Sequence, residues 1–278
     1  MDHPAAILTI AGSDPSGGAG VQADLKTFAT IGVYGCGAIT NLTVQNTLGV
    51  TQTHPVTPEL VKAQIESILT DLPITHIKTG MIGTGEVAGA IGECLAGFNG
   101  KIICDPVLKS SSGTPLLPQA DLVIFRDEVI ARATILTPNL EELAILIGNP
   151  QLNQEEIEEA GRHLLSTFPH LKGIVIKGGH AINPSDTVTD LLLLVGKRAG
   201  LISIAKATRP RINNSGLHGT GCTFASAFAS YHLLTGDYQK AFHQAGEYIS
   251  TLLKMGVGRQ LGHGNSPLQH HLYPRAEK

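Results

Sequence analysis

Cysteine, charge and long apolar runs are all scarce in this chain. It has four cysteines, Cys36, Cys94, Cys104 and Cys222, and no Cys-x-x-Cys pair, which speaks against a disulfide framework and for free thiols in a reducing cytoplasm. None of its 12 histidines falls in a zinc-ligand spacing, and His270-His271 near the end reads as a solvated tail. Charged residues make up 15% and the net charge is −3, so nothing electrostatic favours nucleic acid or an anionic membrane. No apolar run approaches the roughly 18–20 residues that span a bilayer, and Leu191 to Val195 reads as a core strand. The N-terminus has neither a basic region nor a cleavage site, so no export signal is expected. With no Pro/Ser-rich linker and no internal repeat, residues 1–278 are expected to form a single domain.

Glycine, by contrast, is abundant at 32 residues, and two of its clusters precede helix-like runs. In Leu217-His218-Gly219-Thr220-Gly221-Cys222-Thr223, the glycines allow a tight turn with uncovered N–H groups. The helix-like run Phe224 to Leu234 behind them adds its positive N-terminal end. That combination suits an oxyanion or a phosphate and points to group transfer. Cys222, at the mouth of this helix, is expected to lose its proton more easily than a free thiol. Near the other end, a buried strand from Ala5 to Ala11 runs into the Gly-rich loop Gly12 to Gly20 and then a helix, Val21 to Ile31, with Asp24 one turn in. This loop lacks the Gly-Lys-Ser/Thr ending of a P-loop and does not fit the dinucleotide spacing, so both familiar nucleotide readings of it fail.

Strand and helix patterns alternate along most of the chain. Thr57-Pro58-Glu59 reads as a helix start, with Val61, Ile65, Ile68, Leu69 and Leu72 on one apolar face. Short strands are expected at Thr75–Lys78, Lys101–Cys104, Thr134–Leu136 and Gly173–Ile176, with a helix over Asn153–Leu165 opened by an Asn153/Glu156 capping box. Thr187–Val195 and Leu201–Thr208 read as a hairpin. The alternation predicts an α/β fold with a mostly parallel central sheet and helices on both faces.

Ligands in such sheets gather at the carboxyl ends of the strands. The polar residues following the expected strands are Gly80-Met81, Asp105-Pro106-Val107, Thr137-Pro138-Asn139 through Glu142, and Lys177-Gly178-Gly179-His180. An acid, an amide-plus-acid pair and a lysine on one rim fit a Mg-nucleotide site. Each also has an ordinary role: Asp105 as a turn cap, Asn139 as an N-cap, Lys177 as a solvated charge.

Together these segments resemble the hydroxymethylpyrimidine/phosphomethylpyrimidine kinases of thiamine biosynthesis, in the ribokinase-like superfamily. Ile7 through Phe28 is nearly the family's opening signature. Val44-Gln45-Asn46-Thr47, Lys78-Thr79-Gly80-Met81, Asp105-Pro106-Val107, Thr137-Pro138-Asn139, Lys177-Gly178-Gly179-His180, His218 to Thr223 and Gly262 to Pro267 follow in the family's order. The resemblance implies a three-layer ribokinase-like sandwich and a cytoplasmic, homodimeric enzyme that uses ATP and Mg²⁺ to phosphorylate a small pyrimidine alcohol and its monophosphate. It implies a pyrimidine site of Gly12, Asp24, Gln45, Met81 and Val107, in which the Gln45 amide offers a donor and an acceptor side by side. It implies nucleotide contacts from Thr137, Lys177 and His218, and a metal region of Asp105, Asn139 and Glu142. Gly219, Thr220 and Gly221 would stabilise the moving phosphoryl group, and Cys222 would be the base where most of the superfamily carries Asp.

Two segments depart from the family pattern. Val107 to Thr114 moves the basic residue from position 111 to Lys109, which either nears the phosphates or faces solvent. Asn213-Asn214-Ser215-Gly216 puts Gly216 where Asn is usual. Pyridoxal kinase, whose substrate is also a flat heteroaromatic hydroxymethyl compound, is the alternative enzyme. A catalytically silent ligand-binding regulator is the alternative of another class.

Overall fold

The structure, a computed structural model, describes residues 5–180, 186–196, 200–212 and 217–274. In chain order it runs β1 (Ala6–Ser13), α1 (Gly20–Ile31), β2 (Tyr34–Asn46), β3 (Gly49–Pro55), α2 (Pro58–Asp71), β4 (His76–Thr79), α3 (Gly85–Ala96) and β5 (Lys101–Cys104). It continues with α4 (Leu122–Glu128), β6 (Ile135–Leu136), α5 (Leu140–Ile147), α6 (Ile157–Thr167), β7 (Gly173–Ile176), β8 (Thr187–Val195) and β9 (Ile202–Pro210). The last elements are β10 (Leu217–His218), α7 (Thr220–Thr235), α8 (Tyr238–Gly256) and β11 (Ser266–Pro267).

Among the described residues nine strands form one sheet in the order β3-β2-β1-β4-β5-β6-β7-β8-β9. From β2 to β7 every neighbouring pair is parallel, while β3, β8 and the β8–β9 hairpin join antiparallel at the edges. Apart from β4, which buries His76 and Lys78, the short parallel strands are apolar on both faces, and their alternation divides the core in two. Leu8, Ile10, Ile102, Leu136, Ile174 and Leu193 face α2 to α6, while Ile7, Ile103, Ile135, Val175 and Leu192 face α1, α7 and α8. The result is the expected three-layer α/β sandwich.

The local signals hold with small shifts of boundary. The Thr57 side chain caps α2 with Pro58 behind it, and the Asn153/Glu156 capping box is formed, opening a 3₁₀ turn before α6. One expectation fails outright. His270 is 2% exposed, not a solvated tail residue, and its Nε2 lies 3.0 Å from Thr223 Oγ1. The apolar Leu268 anchors this segment, and β11 pairs with β10, so the chain end is drawn onto the start of α7. His271 beside it is exposed.

Candidate active site

A cleft of about 550 Å³ opens along the carboxyl ends of the parallel strands, the edge where crossover loops diverge. Its lining includes Gly12, Gln45, Met81 and Val107 together with Asp105, Lys177 and His218 to Cys222. The expected acceptor and phosphate residues therefore share one space, with two exceptions described below.

Helix α7 begins in this cleft. Gly219 caps it in the left-handed region at φ 83°, where an L side chain is strained and where a Cβ would collide with the Gly18 carbonyl. The two Gly-rich segments thus pack backbone to backbone, and His218 covers Gly18, where a side chain would strike its imidazole. Asp14 fixes the first segment by accepting from the amides of Ser16, Gly18 and Ala19. His218 Nε2 is buried without a hydrogen-bond partner, and burial lowers the ring's pKa.

Cys222 lies on the first turn of α7, yet the expectation of an easily lost proton is not met. Burial pushes the thiol up to about 11; Lys78 and the Gly20 amide act in the opposite direction and are outweighed. Taking a thiolate out of water costs more than a helix N-terminus and a nearby cation return.

Beside α7, Asp105 Oδ1 accepts from Lys177 Nζ at 2.8 Å and from Thr137 Oγ1 at 3.2 Å, while Asp105 Oδ2 is buried with no partner. Thr137 is fully buried and does not line the cleft, and its hydroxyl supports Asp105. Asn139 and Glu142 form a reciprocal capping box at the start of α5, which commits the Asn139 side chain to the Glu142 amide. Burial drives Glu142 up to about 7, against the pull of Lys177. Among the described residues no cluster of three His, Cys, Asp or Glu side chains forms a ready metal cage.

Asp24 is the second exception. It is fully buried and absent from the cleft wall. Its Oδ2 accepts from Thr9 at 2.6 Å and Lys78 at 3.0 Å, and its Oδ1 accepts from Ser226 at 2.7 Å. Ser226 stands one helical turn after Cys222, so this ion pair lies beneath the thiol as support. Lys78, quoted in a motif but given no role by sequence reasoning, is the residue that was missed: a lysine between Ile77 and Thr79 on a buried strand demands a carboxylate partner. Asp190 was missed likewise; inside an apolar strand it pairs with Arg209 at 2.6 Å and accepts from the Gly178 amide at 2.8 Å, at the cleft's edge.

Lys109 lines the cleft and pairs with Glu141, both side chains being well exposed. The altered segment Asn213 to Gly216 lies outside the described residues, as does the His180 side chain.

Residues 14–269 match the phosphomethylpyrimidine kinase family. The hydroxymethylpyrimidine/phosphomethylpyrimidine kinase of Bacillus subtilis is 37% identical over 273 residues, covering 96% of this chain and 95% of that one, and the Escherichia coli protein of that name is 35% identical over 265 residues, covering 95% and 96%. Among solved structures, the pyridoxal kinase of Staphylococcus aureus in complex with AMP-PCP superposes with a TM-score of 0.85 at 30% identity, covering 99% of this chain and 97% of that one. The phosphomethylpyrimidine kinase of Clostridium difficile gives 0.74 at 34% identity, covering 89% and 98%. Backbone likeness spans both kinds of vitamin kinase, whereas sequence likeness over nearly the full length assigns the family: this chain belongs to the phosphomethylpyrimidine kinases.

Proposed function

We propose that the chain, as one kinase domain, uses ATP to phosphorylate the hydroxymethyl group of 4-amino-5-hydroxymethyl-2-methylpyrimidine, and then the monophosphate, in thiamine biosynthesis. The observation that carries this reading is the convergence in one cleft of Gln45 with the Gly219–Gly221 turn, Cys222 and the Asp105–Lys177 pair. Gln45, Met81, Val107 and Gly12 form the ring pocket; a Cβ on Gly12 would stand 2.8 Å from Met81 Sδ, so glycine there lets the Met81 side chain pack against the loop. The substrate hydroxyl oxygen bonds to the γ-phosphorus, the bond to the β-bridging oxygen breaks, and Cys222 as thiolate takes the hydroxyl proton. Because the transition state is loose, orientation and charge stabilisation dominate, and these come from the amides of Gly219 to Gly221 and from Lys177. His218 and the Arg209 side of the cleft lie towards the nucleotide.

The residues also suit Mg²⁺. The unpartnered Oδ2 of Asp105 and the raised Glu142 are both carboxyl oxygens that gain from a nearby cation, and Mg²⁺ commonly takes only one or two protein carboxylates beside water and phosphates. Asp105 and Glu142 would hold it, with Asn139 fixing Glu142; when bound, it neutralises charge on the transferring phosphoryl group.

No described helix is long and apolar enough to cross a membrane, and the reading makes the protein a cytoplasmic enzyme acting on a small molecule. The exposed Leu42, Val44 and Leu48 of the β2–β3 edge supply a face for a second copy. The likeness to pyridoxal kinase keeps that substrate in the test. Coupled ATP turnover with the pyrimidine alcohol, its monophosphate and pyridoxal decides: preference for pyridoxal would overturn the substrate assignment, and no turnover with any of them would leave a binding protein.

A further inference from the structure

Recognition of an aminopyrimidine by Gln45 depends on which way its amide points, since the carboxamide is nearly symmetric in shape but opposite in polarity at its two ends. The structure holds a device for choosing. Thr43 and Gln45 both line the cleft from β2, with the exposed Val44 between them, and the register of β2 against β3 shifts between Val44 and Gln45. Thr43 Oγ1 lies 2.9 Å from the Ser13 carbonyl oxygen and 3.2 Å from Gln45 Oε1. A hydroxyl has one proton and two lone pairs, and a backbone carbonyl can only accept.

The Ser13 carbonyl belongs to a fixed backbone. Gln22 Nε2 donates to Ser13 Oγ at 2.8 Å, and Gln22 Oε1 accepts from the Asp14 amide at 2.9 Å. The Thr43 proton therefore goes to Ser13, the shorter contact, and a lone pair faces the Gln45 amide. Oxygen against that lone pair is repulsive. Rotation of the terminal torsion brings Nε2 to Thr43 instead, exchanging ends of the amide at no steric cost. One Nε2 hydrogen then serves Thr43, and the other stands beside Oε1, facing the cleft.

We propose that Thr43 is a specificity-determining positioning residue, whose hydroxyl fixes the Gln45 amide so that the pocket accepts a ring carrying an amino donor beside an unprotonated ring nitrogen. Rings of reversed polarity are rejected. A 4-oxo pyrimidine offers an acceptor beside an N–H, and pyridoxal offers an aldehyde oxygen where the amino group would be. This rests on the reading that Gln45 faces the pyrimidine, and the test separates the two.

Steady-state kinetics are compared for the wild type, Thr43→Val, Thr43→Ser and Gln45→Leu on the aminopyrimidine alcohol, its 4-oxo analogue and pyridoxal. Wild type should prefer the amino compound over the 4-oxo analogue by about 100-fold or more in kcat/KM, since two hydrogen bonds are mismatched. Thr43→Val frees the amide: KM for the amino compound should rise about tenfold with kcat within about twofold, and the preference should shrink to about tenfold or less. Thr43→Ser should restore both KM and preference. The proposal is overturned if Thr43→Val keeps the full preference while Gln45→Leu loses it, if Thr43→Val lowers kcat at unchanged KM, or if serine fails to rescue. Should Gln45→Leu bind the aminopyrimidine as wild type does, the pocket reading itself is wrong, and Thr43 has no amide to orient.

Discussion

Removing the positive charge of Lys78 is the most severe test of how the cleft is supported. Lys78 Nζ and Asp24 Oδ2 stand 3.0 Å apart with both side chains fully buried. Lys78→Met keeps the length of the side chain and leaves Asp24 with the Thr9 and Ser226 hydroxyls but no counter-charge. Breaking one side of a buried pair costs about 3–5 kcal/mol, because the remaining ion keeps its desolvation penalty. For a protein of this size that corresponds to a fall in Tm of roughly 6–20 °C. Asp24→Asn should destabilise comparably by stranding Lys78. The chain has no tryptophan, so unfolding in urea is best followed by far-UV circular dichroism and by the fluorescence of its five tyrosines, which should give coincident transitions. KM for the pyrimidine is measured on each folded variant. A loss below about 1 kcal/mol in both variants would refute the reasoning, since only an exposed pair is worth so little. So would an Asp24→Asn protein of normal stability whose pyrimidine KM had risen, which would return Asp24 to direct substrate contact.

Three further outcomes are expected. Cys222→Ala should lower kcat by about 10²–10⁴-fold, and because burial holds the thiol near 11, wild-type kcat/KM should climb about tenfold per pH unit between pH 7 and 9 while the alanine variant stays flat; parallel profiles would leave the thiol as packing. His270 is held neutral, its pKa lowered from 6.5 to about 4 by burial, and His76 and His232, which meet at 2.9 Å, are lowered likewise. The unfolded chain takes up protons first as the pH falls below 6.5, so stability is lost from there down to pH 4, where the loss is complete; His270→Gln should reduce the fall between pH 7 and 5 by about 2 kcal/mol, and an unchanged urea-midpoint difference would disprove it. Lys109→Met should alter stability by less than about 1 kcal/mol, as its pair with Glu141 is exposed; it should also cut kcat/KM on the monophosphate about tenfold, worth about 1.4 kcal/mol, while sparing the free alcohol, and equal losses on both substrates would count against a phosphate contact.

Much of the architecture was legible because it rests on local rules. Thr57-Pro58 and the Asn153/Glu156 box announce helix starts through hydrogen bonds confined to one turn, and short apolar runs bounded by turn residues announce buried parallel strands. The rim residues Asp105 and Lys177 were legible for the same reason, since a polar residue just past a parallel strand has one edge to occupy. Asp24 and Thr137 misled in a common way. Each is polar and lies close to a glycine loop or a strand end, and sequence order does not record whether a side chain points into the cleft or back into the protein.

The sequence by itself determined the alternation of strands and helices, the two glycine turns and the family, because backbone freedom, side-chain periodicity and motif order are properties of neighbouring residues. Only the tertiary structure decided the polar partnerships. Asp24 meets Lys78 across 54 positions and Ser226 across 202, and His270 meets Thr223 across 47. It also decided the state of Cys222, where local cues favour the thiolate and burial reverses them. Desolvation is the reason: it depends on everything packed around a group, and packing brings together residues that the chain keeps far apart.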